Sequence, residues 1–155
     1  MNITLNRRGV LALATVALGG LFAPASSARA ASDEGKTAGG PHRVAIHLNS
    51  EDEKVQKGAL NSIKNLYEEY GPGKVKAELI TNGPGLKLFV KKDTKFAEEL
   101  AQLKKAYGVE YTACSNTMKS MKVAREDLLE AVDRATPAVV RLIELQEQGW
   151  AYIKP

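Results

Sequence analysis

The sequence has few of the residues that carry redox, metal or nucleophilic chemistry. Its 155 residues include one cysteine and two histidines. A single cysteine excludes a disulfide within the chain, and these three residues are too few for a structural zinc site with four ligands. No Ser-His-Asp order, metalloprotease helix motif or Walker loop is present. Any chemistry must therefore depend on very few side chains, and no cofactor is expected.

Aromatic residues are also scarce, at 6% of the chain, whereas hydrophobic residues at 44% and charged residues at 26% are near the globular average. Such a composition argues against a disordered or membrane-spanning class. The length allows one domain of ordinary size.

The first thirty residues follow the pattern of a secretory signal peptide. Arg7 and Arg8 precede an apolar stretch over residues 10–22, and Ala28-Arg29-Ala30 places small residues where a signal peptidase cleaves. The stretch is short for a bilayer, so a retained membrane helix is the weaker alternative. We expect cleavage after Ala30 and a periplasmic mature protein, exported by either the Sec or the twin-arginine route.

Most of the positive charge belongs to this leader. The full chain has 22 Lys and Arg against 18 Asp and Glu, and removing residues 1–30 leaves 19 against 18. The lysines are interleaved with glutamates rather than clustered, so no nucleic-acid surface is expected. No membrane contact is expected after cleavage.

Strand and helix patterns alternate after a flexible lead-in over residues 31–42. Strand patterns cover residues 44–48, 75–79, 109–114, 131–135 and 150–153. Helical patterns cover residues 51–70, after a Ser50–Glu53 capping box, and residues 86–91, 96–107, 125–130 and 137–148. This alternation predicts an α/β fold over residues 43–155, a three-layer α/β/α sandwich with a mostly parallel five-stranded sheet.

The composition of the first two strands predicts their places in that sheet. Residues 44–48 form a nearly continuous apolar run, which is typical of a central strand. In the second strand Lys76 and Glu78 alternate with apolar residues, so this strand is expected toward an edge, with one exposed face.

Functional groups in parallel sheets gather where the strands end. The candidate binding residues at this rim are Asn82, Gly83, Gly85 and Asn116. The Gly83-Pro84-Gly85 loop offers backbone N–H groups to an anion, and a simple tight turn is the alternative.

Cys114, His47 and Asn49 are the candidate catalytic residues. Cys114 ends the third strand, where backbone N–H groups of the following loop are expected to point toward its sulfur and favour the thiolate. Three cations that follow it, Lys119, Lys122 and Arg125, are expected to add positive potential and lower its pKa further. His47 and Asn49 share one face of the first strand, and His47 is expected to orient or deprotonate the thiol. The alternatives are a buried structural cysteine and a histidine satisfied within the core.

A second class of function remains open at this point. Cys114, Met118 and Met121, together with His47, are soft ligands that would suit Cu(I) in an exported protein. Methionines at such spacing also commonly pack in cores. A noncatalytic interaction module with a structural cysteine is the third possibility.

Six short segments together resemble the DsrE/DsrF-like family, in its exported branch. They are His47-Leu48-Asn49-Ser50, Gly71-Pro72-Gly73, Asn82-Gly83-Pro84-Gly85-Leu86, Ala113-Cys114-Ser115-Asn116-Thr117-Met118, Glu126-Asp127-Leu128-Leu129 and the terminal Gly149-Trp150-Ala151-Tyr152-Ile153-Lys154-Pro155. The resemblance covers about residues 43 to 155.

The resemblance implies a sulfur-relay activity and an oligomer. In the sulfur-relay members a cysteine after the third main strand carries a persulfide, and Cys114 matches that place. The leading hypothesis is a periplasmic sulfur carrier or sulfurtransferase-like protein, whose partners are a sulfane-sulfur donor and an acceptor thiol protein. A homo-oligomer, trimer or hexamer, is expected. Amphipathic aromatics of the kind enriched in interfaces support that expectation: Tyr67, Tyr70, Tyr107, Trp150 and Tyr152.

Overall fold

The computed structural model describes residues 39–155. The signal peptide predicted over residues 1–30 and most of the predicted lead-in lie outside the described residues. Between residues 39 and 155, no helix combines the length and apolar character that crossing a membrane requires.

Five strands and four α-helices alternate along this part of the chain. The strands are β1 His42–Leu48, β2 Val75–Thr81, β3 Glu110–Cys114, β4 Arg134–Thr136 and β5 Ala151–Ile153. The α-helices are α1 Glu53–Tyr70, α2 Ala97–Tyr107, α3 Ser115–Met121 and α4 Ala138–Glu147, with 3-10 helices at Gly83–Phe89 and Arg125–Asp127. The strands pair in parallel in the order β4-β3-β2-β1-β5. The predicted five-stranded α/β sandwich is confirmed.

The two faces of the sheet bury different amounts of apolar surface. Helices α1 and α2 cover one face and form the main core with alternate strand residues such as Ile46, Leu79 and Tyr111. The opposite face, here called the α4 face, carries a smaller cluster formed by Ala45, Ile80, Cys114, Ala138, Leu142, Leu145 and Trp150. Strand alternation therefore directs Cys114 to the less apolar side of the sheet.

The expected edge position of the second strand is wrong. β2 is the middle strand of the five, and Glu78 is fully buried on the α4 face. Its carboxylate accepts hydrogen bonds from Arg141 and Thr112. These partners compensate the burial of a carboxylate that the sequence pattern assigns to solvent. The alternation of Lys76 and Glu78 with apolar residues therefore does not indicate an exposed strand in this protein.

One helix boundary and one whole helix differ from the sequence pattern. The N-cap of α1 is Asp52 rather than Ser50, because the Asp52 carboxylate accepts from the N–H groups of Lys54 and Val55 at 2.7 and 3.3 Å. Helix α3 was not expected, because Ser115-Asn116-Thr117 are weak helix formers and the segment has no apolar period.

The loop after β2 packs directly against the end of β1. The Asn82 N–H donates to the Leu48 carbonyl at 3.1 Å, and Gly85 is buried against the same backbone. A Cβ at Gly85 would lie 2.9 Å from both Asn49 Cα and the Leu48 carbonyl carbon, and closer still to the Leu48 oxygen. Only glycine permits this approach.

We predict that Gly85→Ala destabilises the protein by about 1–3 kcal/mol, because the added methyl forces two backbone segments apart. The matched control is Gly58→Ala within α1, where an added Cβ meets nothing within 4 Å. This control should be neutral or stabilising by up to about 1 kcal/mol. Urea unfolding of the three proteins measures both changes, and equal stabilities would contradict the close-packing argument.

Candidate functional site

Cys114 occupies the junction between β3 and α3. It is the last residue of the strand and immediately precedes the helix. Its side chain points to the α4 face and is 6% exposed. The thiol is free, and the first turn of α4 covers it, with the Ala138 N–H donating to Sγ at 3.5 Å.

Donor groups around the sulfur favour its ionised form. Burial raises the pKa of the Cys114 thiol, but hydrogen bonding by the Thr117 hydroxyl and by the N–H groups of Ala138, Thr117 and Asn116 outweighs burial. The net pKa is therefore lower than that of an ordinary cysteine. The Cys114 side chain does not form an N-cap hydrogen bond to α3, so its contact with the N–H groups of that helix is looser than in a regular cap.

Of the two predicted causes of this lowered pKa, the structure supports the backbone N–H groups and not the cations. Lys119, Lys122 and Arg125 were expected to stabilise the thiolate by their charge, yet all three are exposed. The main lowering effects are hydrogen bonds. Neutral dipoles within contact distance act more strongly than solvated cations, because water screens the latter.

Thr117 joins the thiol to the loop after β2. Its hydroxyl oxygen accepts a hydrogen bond from the Gly83 N–H at 3.0 Å, and its own proton is then available to the sulfur. The Gly83 N–H of the Gly83-Pro84-Gly85 turn therefore orients the Thr117 side chain and is not available to bind an anion.

His47 lies on the same face as Cys114 but makes other contacts. Its Nδ1 lies 2.8 Å from the Tyr152 hydroxyl and its Nε2 lies 2.9 Å from Asn82 Oδ1. The β1–β2–β3 register aligns His47 with Ile80 and Ile80 with Thr112, so β2 separates the histidine from the thiol. The structure does not support direct deprotonation of Cys114 by His47, because both ring nitrogens already have partners.

The remaining predicted residues divide between the thiol and the rim. The Asn116 backbone contributes to the donors around Sγ, while its side chain is exposed. Asn49 is exposed at the end of β1, and its Cα lies beside Gly85. The sequence interpretation missed Thr117 and Ala138. A hydroxyl residue three positions after the cysteine was the available signal for Thr117, whereas nothing local points to Ala138.

The soft ligands proposed for Cu(I) are not brought together. Met118 is buried in the main core and Met121 packs against it, on the α1 and α2 side. Cys114 belongs to the cluster on the α4 face, and His47 bonds Tyr152 and Asn82. The methionines therefore serve packing, which removes the basis of the copper hypothesis.

The comparisons with known proteins identify the family. The model of the DsrE/DsrF-like family matches residues 43–155, and the chain belongs to this family. A search of curated proteins finds no match.

Several solved structures share the fold. The MTH1491 protein of Methanobacterium thermoautotrophicum, of unknown function, is 29% identical with a TM-score of 0.68, covering 74% of this chain and 99% of its own. The ychN protein of E. coli is 11% identical with a TM-score of 0.61 over the same shares, 74% and 99%. The BT1422 protein of Bacteroides thetaiotaomicron, also of unknown function, is 18% identical with a TM-score of 0.55, over 72% and 93%.

We predict that Thr117→Val raises the pKa of the Cys114 thiol, because the isosteric valine removes the hydroxyl donor. A raised pKa leaves less thiolate at neutral pH, so alkylation at pH 7 should slow by about three- to tenfold. The midpoint of the rate against pH should move upward. Thr117→Ser retains the hydroxyl and should restore the wild-type profile. An unchanged profile in the valine variant would show that the hydroxyl does not act on the sulfur.

Proposed function

We propose that this protein is a periplasmic sulfur carrier that holds a persulfide on Cys114. Membership in the DsrE/DsrF-like family suggests a sulfur-relay-like role. The observation that carries the proposal is the buried Cys114 thiol at the end of β3, where the Ala138 N–H donates to Sγ at 3.5 Å and neighbouring donors lower the pKa of the thiol. The periplasmic location is motivated by the leader pattern of residues 1–30.

The burial of Cys114 has to be weighed against these donors. A structural cysteine is commonly buried, and 6% exposure alone would fit that role. A neutral structural thiol does not need several hydrogen-bond donors, because its sulfur is a weak acceptor. Donors that lower the pKa are what a nucleophilic thiolate needs. Burial then protects a loaded persulfide from competing thiols.

The transfer step follows thiol–disulfide chemistry. The Cys114 thiolate attacks the sulfane sulfur of the donor, a new S–S bond forms, and the donor's S–S bond breaks. The leaving fragment keeps the bonding electron pair, and the outer sulfur on Cys114 keeps one negative charge. In the second step an acceptor thiolate attacks that outer sulfur and releases the Cys114 thiolate.

We predict that a polysulfide donor adds the mass of one sulfur atom per chain and that a reducing thiol removes it. Cys114→Ser should add nothing while remaining folded, because serine is similar in size but provides no low-pKa sulfur. Mass spectrometry of the native protein measures the addition. Wild-type protein that gains no sulfur, and whose thiol is alkylated only after unfolding, would refute the carrier role and favour a structural cysteine.

We further propose a homo-oligomer, trimer or hexamer, formed through the outer surface of α4. Val139, Val140 and Ile143 are 65%, 48% and 51% exposed, an unusual density of exposed β-branched residues on one short helix. The aromatic residues named from the sequence differ in exposure. Tyr67 and Trp150 are buried, Tyr107 is half-buried against Tyr67, and Tyr70 and Tyr152 are exposed.

We predict that Ile143→Glu shifts the assembly toward monomers, because a carboxylate in an apolar contact loses its hydration. The apparent dissociation constant should weaken by about tenfold or more. Ala101→Glu, on the exposed side of α2, adds the same charge on the other side of the sheet and should leave the assembly unchanged. Light scattering across micromolar concentrations measures the mass, and wild-type protein that is monomeric throughout would exclude the oligomer.

A further inference from the structure

Three side chains form a hydrogen-bonded row at the rim of the α4 face. The Tyr152 hydroxyl lies 2.8 Å from His47 Nδ1, and His47 Nε2 lies 2.9 Å from Asn82 Oδ1. These residues come from β5, β1 and the end of β2, three neighbouring elements of the sheet. The transfer chemistry described above does not use this row.

Asn82 fixes the proton positions along the row. Its Oδ1 can only accept a hydrogen bond, so the ring proton of a neutral His47 lies on Nε2. Nδ1 is then the acceptor, and the Tyr152 hydroxyl donates to it. Each contact has one donor and one acceptor, so the row holds the imidazole in one tautomer.

The same contacts fix the orientation of the Asn82 amide. The planar amide directs Oδ1 toward His47, so its Nδ2 group is turned away from that ring. The backbone is held as well, because the Asn82 N–H donates to Leu48 and the Asn82 carbonyl accepts from Gly85, both at 3.1 Å. An amide held in this way is an oriented donor with little freedom to lose on binding.

Asn82 stands beside Cys114 across neighbouring strands. The register pairs Thr81 with Ala113, so the next residues in line are Asn82 and Cys114. Neighbouring strands lie about 5 Å apart. Asn82 is nevertheless not among the groups that lower the pKa of the free thiol. The register therefore places the amide beside the strand that carries the thiol, and no hydrogen bond joins it to Sγ among the described residues.

We propose that Asn82 Nδ2 donates a hydrogen bond to the outer sulfur of the Cys114 persulfide, and that His47 and Tyr152 are positioning residues for this donor. The inference rests on the proposed function. The outer sulfur is about 2 Å from Sγ, and it carries the negative charge after transfer. Thr117 and Ala138 then serve the inner sulfur and Asn82 serves the outer one. Such a division suits anionic sulfane donors such as inorganic polysulfide, because Asn82 also offers a donor to the incoming charge.

The test compares sulfur loading with the reactivity of the free thiol. With sodium tetrasulfide as the probe, the thiolate takes one sulfur and trisulfide leaves, so charge and atoms balance. Asn82→Asp keeps an acceptor for His47 but replaces the amide donor by an anionic oxygen, and loading should slow by about tenfold or more. Asn61→Asp on the exposed side of α1 adds the same charge elsewhere and should load like wild type.

A second variant separates this role from a general structural one. Asn82→Ala should slow loading while leaving the pH profile of free-thiol alkylation as in wild type, because no hydrogen bond joins the Asn82 amide to Sγ among the described residues. Loading at the wild-type rate in both Asn82 variants would overturn the inference, and so would a parallel change in loading and alkylation. Wild-type protein that takes up no sulfur would overturn the proposed function, and this inference with it.

The positioning role has its own readout. Tyr152→Phe should slow loading by about two- to threefold, through the loss of one neutral hydrogen bond. If His47 acts only through Asn82, adding His47→Leu to Asn82→Ala should cause no further loss. Additive losses in the double variant would show that His47 acts independently of the amide and would overturn its assignment.

Discussion

The buried carboxylate of Glu78 is the constraint on which the arrangement of the α4 face depends. Arg141 of α4 binds it with two hydrogen bonds of 2.9 and 2.7 Å, and Thr112 of β3 donates at 2.6 Å. Arg134 of β4 adds an ion pair at 3.0 Å, without an aligned hydrogen bond from that nitrogen. Burial raises the pKa of Glu78, but these partners outweigh it and lower the pKa. The stabilisation is therefore present at neutral pH and is lost as the pH falls below the ordinary range of a glutamate.

The hydrogen bonds of Glu78 determine where α4 lies more than they add to the free energy of unfolding. Removing one partner from a buried ion pair costs about 3–5 kcal/mol, whereas an apolar replacement of the whole group is often neutral. Any position of α4 that separates Arg141 from Glu78 is consequently disfavoured. Because α4 is held there, the Ala138 N–H in its first turn meets the sulfur of Cys114. The donor set of the thiol thus depends on a charge in the middle of the sheet.

The sequence predicted the architecture well because apolar periods and glycine turns are local signals. Gly71 and Gly108 both have positive φ where their helices end. What it could not predict depends on contacts between distant segments. Glu78 was assigned to solvent because its partners lie 34 and more residues away. His47 was assigned to the thiol because strand order, which places β2 between them, is not a local property. Cys114 and the backbone donors that follow it were predicted, whereas the Thr117 hydroxyl and the distant Ala138 N–H were not.

The two faces of the sheet have different roles in the fold. The α1 and α2 side holds a larger apolar cluster, including Tyr111, Phe89 and Leu60, and supplies most of the hydrophobic stabilisation. The α4 side has a smaller apolar cluster and carries the polar groups: Glu78 with its arginines, the thiol and the row from Tyr152 to Asn82. A polar residue on the α4 face displaces less buried apolar surface than one on the α1 and α2 side. A stable core on one face therefore leaves the opposite face free to be shaped by hydrogen-bond geometry, as the proposed transfer chemistry at a single sulfur would require.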